Sequence, residues 1–147
     1  DLHIGVYVAP SYVERLGAPA HPRELENTDH HIVGFLSSRT SKIDPLVLRS
    51  ESEHIEITGS YVLAVDDGNA YLEAGLAGLG VIALPVYMAA AHQAVGALIP
   101  LFTQWRISPM PLYLAFPPNR HVNAKLRVFI DWIVELMQQH VPITNNK

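Results

Sequence analysis

The chain has 147 residues, and its 10 Lys and Arg against 14 Asp and Glu give a formal net charge of −4 with the basic residues scattered along it. That balance leaves no nucleic-acid footprint, and the absence of cysteine excludes disulfides, thiolate metal sites and cysteine nucleophiles. A hydrophobic fraction of 49% with 16% charged residues fits one globular domain, or two small lobes, around a sizeable core; no apolar run approaches the roughly 18 residues of a membrane span.

The opening DLHIGVYV has no initiating Met, no basic leader and no cleavage site. It reads as the interior of a longer chain, with Asp1 a boundary. Leu2 to Val8 is rich in β-formers and predicts a strand. Ser11 then offers an N-cap with Glu14 three places on, which predicts a short helix, and Pro22 to Glu26 predicts a helix of one or two turns with Pro at its first position. His31 to Leu36 reads as a short buried strand. The polar run Ser37, Ser38, Arg39, Thr40, Ser41 opens a loop that lasts to Pro45 at the carboxyl end of that strand. Leu46 to Leu48 and His54 to Thr58, the second alternating polar and apolar, predict an exposed antiparallel hairpin.

Tyr61 to Val65 reads as a buried strand, Gly68 to Ala77 as a helix, Val81 to Leu84 as a buried strand and Val86 to Val95 as a helix. Such a β-α-β-α run argues for a parallel sheet covered on both faces. Leu98 to Phe102 and Leu112 to Phe116 predict two more strands, joined through Trp105 to Pro111. Asn123 is placed to cap a long helix in which Leu126, Phe129, Ile130, Ile133, Leu136 and Met137 recur at helical spacing. That stripe must bury against something.

The stretch AVDDGNAYLEAGLAGLGVIALP, Ala64 to Pro85, is where a nucleotide loop would be sought. Its glycines, Gly75, Gly78 and Gly80, fall at the end of the helix, whereas a dinucleotide fingerprint needs them before its start. They suit a C-terminal cap, and Asp66 and Asp67 suit the helix N-terminus as caps. Asp66 to Asn69 and Ser37 to Thr40 nevertheless both lie at carboxyl ends of strands, where α/β sheets hold ligands. Two such segments facing one cleft would suit a small anionic or hydroxylated ligand.

The eight histidines show no H-x-x-x-H spacing and read as surface residues, so no metal site is expected. No G-x-S-x-G elbow is present and no catalytic residue is assigned. Trp105, Trp132 and Tyr113 are expected in core or lobe packing, with Phe116 the one aromatic placed for a cleft.

Several phrases occur together and in order: Val8-Ala9-Pro10-Ser11-Tyr12, Gly17, Pro22-Arg23-Glu24-Leu25, Val65-Asp66-Asp67-Gly68, Ala77-Gly78-Leu79-Gly80-Val81, Leu84-Pro85, Gly96-Ala97-Leu98-Ile99-Pro100, Trp105, and Phe116-Pro117-Pro118-Asn119-Arg120-His121 leading to Phe129-Ile130-Asp131. From about Leu2 to Leu136 the chain thereby resembles the effector-binding domain of LysR-type transcriptional regulators. The resemblance implies a type 2 periplasmic-binding-protein-like α/β fold: a Rossmann-like lobe with a mixed, mostly parallel sheet, crossover strands, and a C-terminal helix belonging to the other lobe.

On that mapping residues 1–9 are a crossover strand, 10–109 effector-binding subdomain II, and 110–147 the return crossover and final helix of subdomain I. Gly5 to Ala9 and Leu112 to Phe116 would be the crossovers, and the rest of subdomain I and the winged helix-turn-helix would precede Asp1. A small metabolite, an organic or aromatic acid, is then expected between the lobes. Ser37, Ser38, Arg39 and Thr40 would form one wall, Gly68 and Asn69 would offer helix-start amides, and Val86 would lie at the rim. The resemblance further implies a cytoplasmic homodimer or homotetramer without catalysis, cofactor or membrane contact, reaching DNA only through the winged helix-turn-helix. A secreted solute-binding receptor and an amino-acid dehydratase share the architecture and stand as rivals.

Overall fold

The computed structural model of the chain describes residues 1–27, 29–115 and 124–140, the last three by backbone alone. The sheet is organised around β1 (Ile4–Val8), whose Val6, Tyr7 and Val8 are all buried. It pairs antiparallel with β6 (Ile82–Pro85), Tyr7 opposite Ile82, and with β7 (Ile99–Leu101), Val8 opposite Ile99. A parallel pair, β2 (Ile32–Phe35) with β5 (Tyr61–Val65), joins this trio through a parallel bridge between Ile32 and Val81. There Val33 N–H donates to Val81 O at 3.0 Å and Val81 N–H donates to His31 O at 2.9 Å. The resulting order is β5-β2-β6-β1-β7, with β1 running against the other four, which is the mixed, mostly parallel sheet expected from the sequence.

Alternation along β1 divides the interior in two. Val6 and Val8 point into a cluster with Tyr12, Leu25, Leu48, Ile55, Ile57 and Val81, while Tyr7 points into a second with Val33, Tyr71, Ile82, Leu84 and Ala89. Helix α1 (Pro10–Leu16) and the 3₁₀ helix Pro22–Glu26 contribute Tyr12 and Leu25 to the first cluster. Helices α2 (Gly68–Leu76) and α3 (Val86–Ala94) contribute Tyr71 and Ala89 to the second. Helix α2 ends as its glycines predict: Gly78 has φ +70°, Gly78 N–H donates to Gly75 O and Leu79 N–H to Ala74 O, the two bonds of a Schellman cap.

Local details depart from the sequence reading. Helix α1 begins at Pro10, and Ser11 caps nothing, because a Pro whose φ already suits the first turn starts the helix earlier. Strands β3 (Leu46–Arg49) and β4 (His54–Ile57) do form an antiparallel hairpin, but it is not an exposed one: Leu48, Ile55 and Ile57 are at most 2% exposed. Strand β5 was expected to be buried, yet Val62 and Leu63 are exposed, since β5 is a sheet edge.

Leu112 to Ala115 carries no strand and is exposed. Its chain is held only as far as the antiparallel bridge between Leu2 and Met110, and no strand among the described residues lies alongside to complete a ladder. Helix α4 (Ala124–His140) shows the predicted stripe, with Leu126, Ile130, Ile133, Leu136 and Met137 half-buried and Phe129 exposed. Trp132 and Tyr113 are exposed and so are not core residues here, whereas Trp105 packs against the first cluster. Asn123 and Phe116 lie outside the described residues.

Because the hairpin belongs to the core, Leu48→Ala is expected to lower unfolding free energy by about 2–5 kcal/mol in urea titrations. A surface hairpin would lose no more than about 0.5 kcal/mol.

Candidate functional site

A cavity of about 610 Å³ runs along β2 and β6, from Ile32 and Ile82 to the carboxyl ends at Phe35 and Pro85. Gly34 and Phe35 line it from β2, Leu84 and Pro85 from β6, and Gly68 from the start of α2. Leu46, Val47 and Arg49 of β3 form one side, and Ile4 and Met110 close another. The lining is mainly apolar with a few polar groups, the usual character of a small-molecule site of this size. The strand ends put it there: β2 and β6 run parallel, so the loops that leave them open on the same side of the sheet.

Tyr71 and Tyr61 also line the cavity. Phe35 meets the Tyr71 ring edge-on, centroids 5.4 Å apart, and the Tyr71 hydroxyl accepts a hydrogen bond from Ala83 N–H at 3.0 Å. Burial pushes the Tyr71 phenol up to about 12; the Ala83 bond opposes that rise and Tyr61 adds to it. This phenol fixes α2 against β6.

The start of α2 is capped by Asp67, whose Oδ1 accepts from Asn69 N–H at 3.0 Å and Ala70 N–H at 2.9 Å. The Asn69 amide is thus already engaged, and of the two residues proposed from sequence at this helix start Gly68 is the one on the cavity. The Ser37–Thr40 loop folds on itself, with Ser37 N–H donating to Lys42 O and Ser41 N–H to Ser37 O. Its ends, Phe35 and Asp44, line the cavity, while Ser37, Ser38, Arg39 and Thr40 do not. Val86 is exposed at the start of α3 between two lining residues, Pro85 and Tyr87, and its N–H is held by His3 O at 2.8 Å. Sequence reasoning overlooked Asp44, Arg49 and Tyr71. Asp44 sits in the polar loop that the sequence places from Ser37 to Pro45, Arg49 at the turn of the expected surface hairpin, and Tyr71 carries no local mark beyond its helical position.

His30 is a second departure. It was read as a surface histidine, but it is 9% exposed, with Nδ1 3.0 Å from the hydroxyl of the fully buried Tyr12. That hydroxyl also accepts from His31 N–H at 3.0 Å, so Tyr12 links both histidines in an internal strut away from the cavity. Among the described residues no group of three or more His, Asp or Glu is placed to hold a metal ion, and no helix is long and apolar enough to cross a membrane.

Residues 1–138 match the family described as the LysR substrate binding domain. The chain belongs to that family. This LysR substrate binding domain is 24% identical over 143 residues to an HTH-type transcriptional repressor of Pseudomonas aeruginosa, with 97% of the chain and 44% of the relative covered. It is 29% identical over 135 residues to the HTH-type regulator YhjC of Escherichia coli, covering 90% of the chain and again 44% of the relative. The chain therefore spans less than half the length of these curated relatives.

Among solved structures it is similar to CrgA, a LysR-type regulator of Neisseria meningitidis, with a TM-score of 0.76 at 22% identity over 93% of the chain and 45% of CrgA. It is also similar to the regulatory domain of AphB from Vibrio vulnificus, TM-score 0.71 at 21% identity, over 91% of the chain and 65% of that domain. The fold is the periplasmic-binding-protein-like one of these regulatory domains.

Since the buried Tyr71 phenol stays protonated to higher pH when folded than when unfolded, its contribution is complete below pH 10 and is lost as pH rises toward 12. Urea denaturation across that window should show a loss on the order of 2–3 kcal/mol from this residue, absent in Tyr71→Phe. At neutral pH, Tyr71→Phe should cost about 1–3 kcal/mol because Ala83 N–H loses its acceptor.

Proposed function

We propose that this domain is the effector-sensing part of a transcriptional regulator. A small metabolite, an organic or aromatic acid, binds at the carboxyl ends of β2 and β6 and shifts the closure of this lobe over its neighbour. The observation that carries the reading is the cavity of about 610 Å³ at those strand ends, apolar along most of its wall and bordered by the start of α2. Gly68 forms part of the wall, Val86 and Asn69 stand at the rim, and the Ser37, Ser38, Arg39, Thr40 loop is the flap that meets the polar end of the ligand.

The remaining roles follow from this reading. Residues 10–109 act as effector-binding subdomain II, flanked by the crossover segment 1–9 and by residues 110–147. DNA is contacted only by a winged helix-turn-helix outside this chain, and the regulator works in the cytoplasm as a homodimer or homotetramer. The names of the relatives, all transcriptional regulators, favour this over a solute-binding receptor or an enzyme on the same fold.

Arg39 is exposed on the flap and has no ion-pair partner among the described residues. In the intact regulator, Arg39→Ala is expected to weaken acid binding by roughly tenfold, as loss of one charge-assisted hydrogen bond does, with operator binding unchanged in a gel-shift titration. An unaltered acid affinity would remove Arg39 from the site.

A further inference from the structure

Arg49 lines the cavity, and it does not stand alone. The β3–β4 register sets it opposite His54, and on its other side Arg49 and Arg106 exchange both backbone hydrogen bonds, at 2.8 and 2.7 Å. Directly opposed residues of an antiparallel ladder project to the same face with Cα atoms about 5 Å apart. His54, Arg49 and Arg106 thus form one basic row across three chain segments. The two guanidiniums, Arg49 and Arg106, are like charges so placed and repel one another, screened in part by the water to which both are exposed. Among the described residues no carboxylate lies within 4.0 Å of any of the three, the ion pairs being made by Glu24 and Glu53 with His21, Arg23 and His30. Glu56, opposite Val47 on this face, and Asp44 on the cavity wall make no ion pair with the row. In a chain of net charge −4, a shortage of acidic residues is not the reason.

We propose that Arg49, with Arg106 bridged to it just beyond the lining residues, is the anion-recognising end of the cavity, and that the two guanidiniums take the carboxylate of an amphipathic acid whose apolar body lies against Val33, Phe35 and Leu84. The proposal rests on the small-molecule reading above and adds a basic contact on β3 to the one offered by the Ser37–Thr40 flap. Guanidinium pairs also attract phosphate. The apolar wall that continues from Arg49 through Val47 and Leu46 favours a carboxylate with a hydrocarbon body over a phosphate, which would leave that wall wet.

The test titrates the intact protein, by calorimetry at low salt, with benzoate, phenylacetate and octanoate, each beside its uncharged amide, and with inorganic phosphate. Wild type is compared with Arg49→Gln, Arg106→Gln and Arg39→Ala. The expected result is that at least one acid binds, that its amide binds roughly tenfold more weakly or worse, and that each of Arg49→Gln and Arg106→Gln loses a similar factor. The thermal midpoint without ligand should hold or rise in both variants as the repulsion is relieved.

Acid affinity unchanged in both variants overturns the proposal, as does equal binding of acid and amide. A lowered ligand-free midpoint in both would assign the guanidiniums to the fold and overturn it too. Loss in Arg39→Ala alone would move the charged group to the flap, and binding of phosphate without any acid would change the ligand class. In those cases the sensor reading survives. Silence of wild type toward every compound would overturn the sensor reading together with this one.

Discussion

The close passage of Gly80 beside His31 and Ile32 is the constraint on which the rest of the sheet depends. A Cβ at Gly80 would lie 2.9 Å from His31 O and 3.1 Å from the Ile32 carbonyl carbon. Only a residue without a side chain lets the backbone come near enough for Val81 to exchange hydrogen bonds with His31 and Val33. Without that passage the β2–β5 pair would part from β6-β1-β7. The cavity takes Gly34 and Phe35 from one side of this junction and Leu84 and Pro85 from the other, so it exists only where the two fragments meet.

Once joined, the sheet presents two faces, and β1 distributes its side chains between them. The face toward α2 and α3 is made rigid by groups that serve the backbone: Asp67 satisfies two amides at the start of α2, and the Tyr71 hydroxyl reaches Ala83 in β6. The Tyr71 bond ties α2 to β6 beside the cavity, and the two Asp67 bonds fix the helix start at the point where Gly68 forms the cavity wall. The Asp66–Asp67 pair, which in another setting would suggest acid–base chemistry, here has one member spent on holding a helix in place.

Much of this was legible in the sequence where the signal is local. The alternation of short apolar runs with helical periods between Tyr61 and Ala94 gave both strands and both helices, and the Ala77-Gly78 turn and the Asp67 cap were readable from residue type alone. What was not legible depends on contacts distant in sequence. His54 to Ile57 alternates polar and apolar residues, as a surface hairpin does, and nothing in that segment reveals that Ile55 and Ile57 meet Tyr12 and Leu25 in the core. Likewise the bridge from Arg49 to Arg106 joins residues that no local spacing connects. The Ser37–Thr40 loop was conspicuous because its polar residues are consecutive; the basic row went unseen because its members come from three separate stretches.

That row also ties the site to the core by the shortest route a strand allows. Along β3, Leu48 is fully buried while its neighbour Arg49 faces the cavity, so a ligand that draws on Arg49 acts on a strand whose other face is fixed among Ile55 and Ile57. A ligand shifts a conformational equilibrium only by the difference in its interaction with the two states. An apolar cavity alone supplies little such difference, since its walls are satisfied whether or not another lobe closes over them. Two neighbouring guanidiniums with no ion-pair partner among the described residues supply more: their repulsion is present without an anion, falls when an anion binds, and falls furthest when closure removes the competing water. On this argument the charge that makes the unliganded strand costly is also what makes ligand binding able to move the protein.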